Sequence, residues 1–167
     1  MRGQAIGQSI LRWEGTNMNN DRHILKTIRV PILNLNKPTK SGLIYTTECI
    51  KKMLEDPILK ERLANHALFG SISLNGDHDI FDTSIFNISH AACDLAIESD
   101  QLMATIHILD TPMGRDLINL MGNNIVEFLA CGDGESKDNI ITKYDLASVN
   151  AKIRGDGEIN INNISWR

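Results

Sequence analysis

A chain of 167 residues, 42% of them hydrophobic, fits one domain large enough to fold without staples or metals. Its 17 basic and 21 acidic side chains give a net charge of −4, which argues against the basic face that a general nucleic-acid binder needs. No apolar run approaches the ~20 residues of a membrane-spanning helix, and the three cysteines Cys49, Cys93 and Cys131 suit neither a disulfide framework nor a zinc knuckle. The expectation is a soluble protein of a reducing compartment, with no nucleic-acid or membrane partner.

In chain order, residues 1–21 lack periodicity and end in a polar, turn-forming cluster, so they read as a flexible N-terminal arm or pro-segment. Apolar Ile24, Ile28, Val30 and Ile32 predict a strand with one buried face, and Pro31 puts that strand at a sheet edge or a bend. Asn34 to Gly42 reads as a loop. Thr46 or Thr47 caps a helix bearing Ile50, Met53 and Leu54 on one face. Asp56-Pro57 interrupts it, and a short helical stretch follows through Leu59 and Leu63, extended as far as Leu68. Phe69 to Leu74 reads as a short strand entering the turn Asn75-Gly76-Asp77-His78-Asp79. His90–Ile97 and Leu102–Leu109 form a hairpin joined at Glu98-Ser99-Asp100-Gln101. Thr111-Pro112 opens a helix with Met113, Leu117, Leu120 and Met121 as its stripe and Gly122 at its close. Strands follow at Ile125–Leu129 and Ile140–Val149. The predicted class is α+β, a mostly antiparallel, barrel-like β core with two or three flanking helices. Residues 22–154 make the single domain, and 155–167 a C-terminal tail or edge strand.

Among the five histidines, His23 and His66 read as ordinary surface residues, and His107 lies on the odd-numbered strand face with Met103 and Thr105. His78 stands between Asp77 and Asp79, where a carboxylate can orient an imidazole; a solvated loop residue is the bland alternative. His90 at a strand start suits a structural hydrogen bond equally well. No His or Cys pair has metal-ligand spacing, and Asp77, Asp79 and Asp82 lack the calcium-loop pattern, so no metal or cofactor is expected. Gly132-Asp133-Gly134 after a strand reads as an anion nest or, more simply, a tight turn.

Taken in order, several segments resemble one family. Asn34-Leu35-Asn36 and Gly42-Leu43-Ile44-Tyr45 resemble the N-x-N-x-R-x-Y-P segment of tailed-phage prohead proteases of the T-even type, distant relatives in fold of herpesvirus assemblins. Gly70 to His78 is similar to their G-E-x-x-H-P, and Ile88-Ser89-His90 with Asp94-Leu95 to V-S-H-x-x-x-D-L-W. Ile108-Leu109-Asp110-Thr111-Pro112-Met113-Gly114 resembles I-L-x-T-P-x-G; Leu129 to Gly134 falls where the family has V-S-S-R-G-x-G. Lys143 to Ser148 resembles x-F-D-x-V-S. The resemblance spans residues 28–150, and its unbroken order carries it.

The resemblance implies a maturation serine endopeptidase cleaving scaffold and capsid proteins, and itself, during capsid assembly. Procapsid scaffold or core proteins and the major capsid protein would be its substrates, inside the procapsid in the host bacterial cytoplasm, and self-association stays open. His78 would be the general base, Asp145 its orienting partner with His90 as the alternative, and the backbone near Gly132 and Gly134 the oxyanion hole. The family's serines and arginine are missing: the chain reads Phe128-Leu129-Ala130-Cys131-Gly132 there. Ala130 then stands at the nucleophile position by replacement of serine. The alternatives are a relative that kept the fold for a structural or scaffolding role, or Cys131 acting as the nucleophile.

Overall fold

The computed structural model describes residues 23–73, 87–123 and 126–153. The predicted arm at 1–21, the tail at 155–167 and the turn holding His78 lie outside the described residues.

Eight strands and three helices are described: β1 (Ile24–Asn34), β2 (Ile44–Tyr45), α1 (Thr47–Leu54), α2 (Pro57–Ala64), β3 (Leu68–Gly70), β4 (Ile72–Ser73), β5 (His90–Glu98), β6 (Gln101–Leu109), α3 (Pro112–Met121), β7 (Val126–Lys137) and β8 (Ile140–Ile153). The class is α+β with a β-rich core, and its strands form two sheets without closing a barrel.

Helix starts follow side-chain capping. The Thr46 hydroxyl accepts from the Cys49 N–H at 3.1 Å, the Asp56 carboxylate from the Leu59 N–H at 3.1 Å, and the Thr111 hydroxyl from the Gly114 N–H at 2.9 Å. Asp56-Pro57 therefore both ends α1 and starts α2, with proline where its missing N–H costs nothing. The helical stretch stops before Leu68, which belongs to β3 because its fully buried side chain is needed in the sheet core.

The first sheet has the order β1-β6-β5-β3, every pair antiparallel. Ser99 and Asp100 both adopt positive φ (45° and 56°) and make the tight β5–β6 hairpin, whose turn twists with the strands. Pro31 sits in β1 at the end of this sheet, beside a register shift between Pro31 and Leu33. The second sheet is built on β8. On one side β7 pairs with it antiparallel from Val126↔Ile153 to Lys137↔Ile140. On the other side β2 pairs in parallel near its start and β4 near its end. Ser71 is the corner where the chain passes from the first sheet to the second, its carbonyl accepting from the Ala151 N–H at 2.9 Å.

β7 runs well past the predicted end at Leu129. The turn expected at Gly132-Asp133-Gly134 is strand, and the chain reverses at Asp138-Asn139, with φ of 52° and 67°. The core is mostly apolar, with Leu102, Ile106, Ile108, Leu117 and Val149 fully buried. His90 in β5 and Ser89 just before it are a buried polar pair among its exceptions.

Cutting Ile106 back to alanine should cost about 2–5 kcal/mol of unfolding free energy. Ile58→Ala, at a side chain 67% exposed, should stay within about 0.5 kcal/mol. Urea unfolding of both variants checks the position of the core.

Candidate active site

The β7–β8 ladder carries most of the expected catalytic positions. Directly paired residues share a sheet face, so Phe128 sits with Ala151, Leu129 with Asn150, Ala130 with Val149 and Cys131 with Ser148. Ala130 is half-buried and packs against the core, presenting a methyl group and no nucleophile. Cys131 is also half-buried. Its Sγ lies 3.7 Å from the Leu129 carbonyl and accepts from the Asn150 Nδ2 at 3.5 Å. Burial pushes the Cys131 thiol up, against smaller opposing contributions from Asn150 and Ser148. A thiol so held stays protonated at neutral pH, the reverse of an activated cysteine.

His90, the alternative orienting group, is fully buried. Its Nε2 lies 2.6 Å from the Val149 carbonyl and its Nδ1 2.7 Å from the Ser89 hydroxyl. A carbonyl only accepts, so Nε2 carries the hydrogen and Nδ1 accepts from Ser89. With both nitrogens committed and the Phe128 ring edge-on at 5.3 Å, this imidazole has nothing left to offer another histidine. These are the contacts of the structural hydrogen bonding that the sequence offered as one reading of His90. Burial pushes its pKa down to about 4, partly offset by the Val149 carbonyl.

Asp145 is 69% exposed, and its carboxylate lies 4.0 Å from the Lys143 ammonium. It lines a separate cleft of about 360 Å³ with Cys49, Met53 and Tyr144. Along β8 it stands four residues from Val149, the partner of Ala130, which is roughly 13 Å at ~3.3 Å per residue. One imidazole and two hydrogen bonds span about 8 Å between side-chain oxygens. The reach of the two side chains from their Cα atoms adds about 6 Å, so this backbone separation is within range of a shared imidazole. The chain also leaves the described residues at Ser73, beside Lys152 at the other end of β8.

Gly132 and Gly134 lie in β7 opposite Leu146 and Tyr144, and neither has positive φ. They do not form the alternating-handed nest that the sequence suggested. Close strand approach explains both glycines instead. A Cβ on Gly132 would run into the Asp145 carbonyl, and one on Gly134 would come within 2.8 Å of the Lys143 carbonyl. His78 falls outside the described residues.

Two features escaped the sequence reading. Ser148 and Asn150 are buried polar side chains in the stretch of β8 facing Leu129 and Cys131, and Asn150 also accepts from the Ser71 N–H at 3.3 Å. The signal was available: two polar residues recurring at spacing two inside an apolar strand. The second feature is a cleft of about 490 Å³ between β1 (Ile28–Pro31) and β7 (Val126–Phe128), ending two residues before Ala130. Its size suits a ligand site, and its walls are the end strands of the two sheets.

The fold is similar to that of the bacteriophage T4 capsid assembly protease, gp21, with a TM-score of 0.62, 15% sequence identity, and 75% of this chain and 80% of that chain covered. No protein-family model and no curated protein matches the sequence. The chain thus has a phage prohead protease-like fold, with no nucleophile at Ala130 and a subdued thiol at Cys131.

The buried His90 has a pH signature. Its folded pKa of about 4 lies below the ordinary 6.5, so the unfolded chain binds the proton more readily. The stabilisation is complete above pH 6.5 and is lost as pH falls towards 4, on the order of 3 kcal/mol in all. Denaturant unfolding at pH 7 and at pH 4 should show that loss in the unsubstituted protein and a clearly smaller one in His90→Gln. An equal loss in both would refute the buried neutral imidazole.

Proposed function

We propose that the chain is a phage capsid-maturation protease of serine type, silenced at its nucleophile position, where Ala130 stands. The observation that carries this reading is the fold shared with a capsid assembly protease, together with the methyl group at position 130 of β7. Scaffold and capsid proteins are then the partners, bound as extended segments along the cleft between β1 and β7. The setting is the procapsid interior.

In this reading His78 is the general base. An added hydroxyl at position 130 is a poor nucleophile near neutral pH until an imidazole takes its proton, and backbone N–H groups of β7 stabilise the oxyanion. Asp145 is the proposed group that orients His78, since the alternative, His90, is committed to Val149 and Ser89. A scaffolding relative that kept the fold without the chemistry is the second reading, favoured by the same alanine. A thiol protease is disfavoured by the raised pKa and engaged sulfur of Cys131.

Ala130→Ser decides between the two. Incubated with purified scaffold and capsid proteins, the serine variant should cleave them or trim its own termini, while the unsubstituted chain does neither. Adding His78→Ala should reduce the rate on the order of 10⁶-fold, as expected when a triad loses its base. No cleavage by a folded Ala130→Ser chain leaves the scaffolding reading. Cleavage that survives His78→Ala removes that histidine from the mechanism.

A further inference from the structure

Away from β7, the fold gathers three donors that sequence spacing gave no reason to connect. His66 follows α2, Cys93 lies in β5, and His107 lies in β6 opposite Ala91. We propose that His66, Cys93 and His107 form a binding site for a zinc-like divalent cation, with the remaining coordination position taken by water or an added ligand.

One ligand atom from each residue lies within 4.8 Å of the other two, and the Cys93 Sγ is 3.5 Å from the His107 Nε2. A tetrahedral zinc ion with a sulfur at ~2.3 Å and a nitrogen at ~2.05 Å has an S···N edge of about 3.5 Å. That edge is already in place. With every separation inside 4.8 Å, no pair has to contract by more than about 1.5 Å to suit such an ion, a movement within reach of half-buried side chains. The two imidazole rings are 5.3 Å apart and tilted by 38°, so both can face one point between them and the sulfur.

The backbone supports the same grouping at two of the three positions. Between Ala92 and Asp94 the β5–β6 register shifts, so Cys93 is the extra residue of a bulge, the device that re-aims a strand side chain. His66 adopts φ of 52°, a left-handed conformation uncommon for any residue with a Cβ. Both irregularities fall on donors. A mixed set of two imidazoles and one thiol suits zinc and its neighbours among divalent ions and suits magnesium or calcium poorly. On binding, a metal–sulfur bond forms as the Cys93 S–H proton passes to solvent, with no change of oxidation state. The inference does not depend on proteolysis.

The test uses the full-length chain, treated with chelator and dialysed, then titrated with Co²⁺ alone. One equivalent should give tetrahedral visible bands and a thiolate-to-cobalt charge-transfer band, all removed by Zn²⁺. Cys93→Ser should abolish the charge-transfer band, and His107→Gln should weaken binding at least tenfold, with circular dichroism confirming both folds. Independently of any variant, Zn²⁺ should protect Cys93 from maleimide in the unsubstituted protein. An octahedral cobalt spectrum, binding unaltered by Cys93→Ser, or equal alkylation of Cys93 with and without Zn²⁺ overturns the proposal.

Discussion

The two sheets are joined through the imidazole of His90, which leaves β5 of one sheet to donate to a carbonyl of β8 in the other. A bond of this kind between wholly buried groups is costly to leave unmade, about 1–3 kcal/mol for each stranded partner. Its surroundings are built to keep it. Gly70 leaves room, since a Cβ there would collide with both the Val149 carbonyl and the His90 ring. The Val149 carbonyl fixes the tautomer, Ser89 satisfies Nδ1, and the Ser89 carbonyl accepts from the Leu109 N–H at 3.0 Å. Thr111 donates to the Ile88 carbonyl at 2.7 Å while capping α3. Gly114 presses so close to the Leu109 backbone that no side chain fits.

That cluster gives physical meaning to segments first noticed by resemblance. Ser89-His90 and Thr111-Pro112-Met113-Gly114 meet around one sheet-to-sheet contact, so their order along the chain reports a fold. The proposed nucleophile position depends on different residues, those of the β7–β8 ladder. Fold and chemistry are separable, so a protease-like fold is compatible with the proposed loss of a nucleophile at position 130.

Local signals were the most legible part of the sequence. Thr46 or Thr47 and Thr111 announced two helix starts, Asp56-Pro57 announced the break between α1 and α2, and Ser99-Asp100 announced the β5–β6 hairpin, because caps and tight turns depend on near neighbours. The reach of β7 was not legible. From Asp133 to Ile140 every residue is exposed, so the alternation that marks a half-buried strand is missing and only pairing with β8 holds the ribbon. At the site, the alanine at position 130 and the cysteine beside it were plain, whereas the fates of His90 and Asp145 depended on tertiary placement. The grouping of His66, Cys93 and His107 was invisible for the same reason: it needs a bulge and a left-handed residue to bring three elements together.

Position 130 as the place of a missing nucleophile is tested most directly by a covalent probe. The Ala130→Ser chain is treated with a fluorophosphonate, in which the activated hydroxyl attacks phosphorus and fluoride leaves, and the label is located by peptide mass spectrometry. A label at position 130 in the variant, lost again with His78→Ala and absent from the unsubstituted protein, is the expected result. Labelling of the unsubstituted chain at Cys131 or at one of its own serines would contradict the reading.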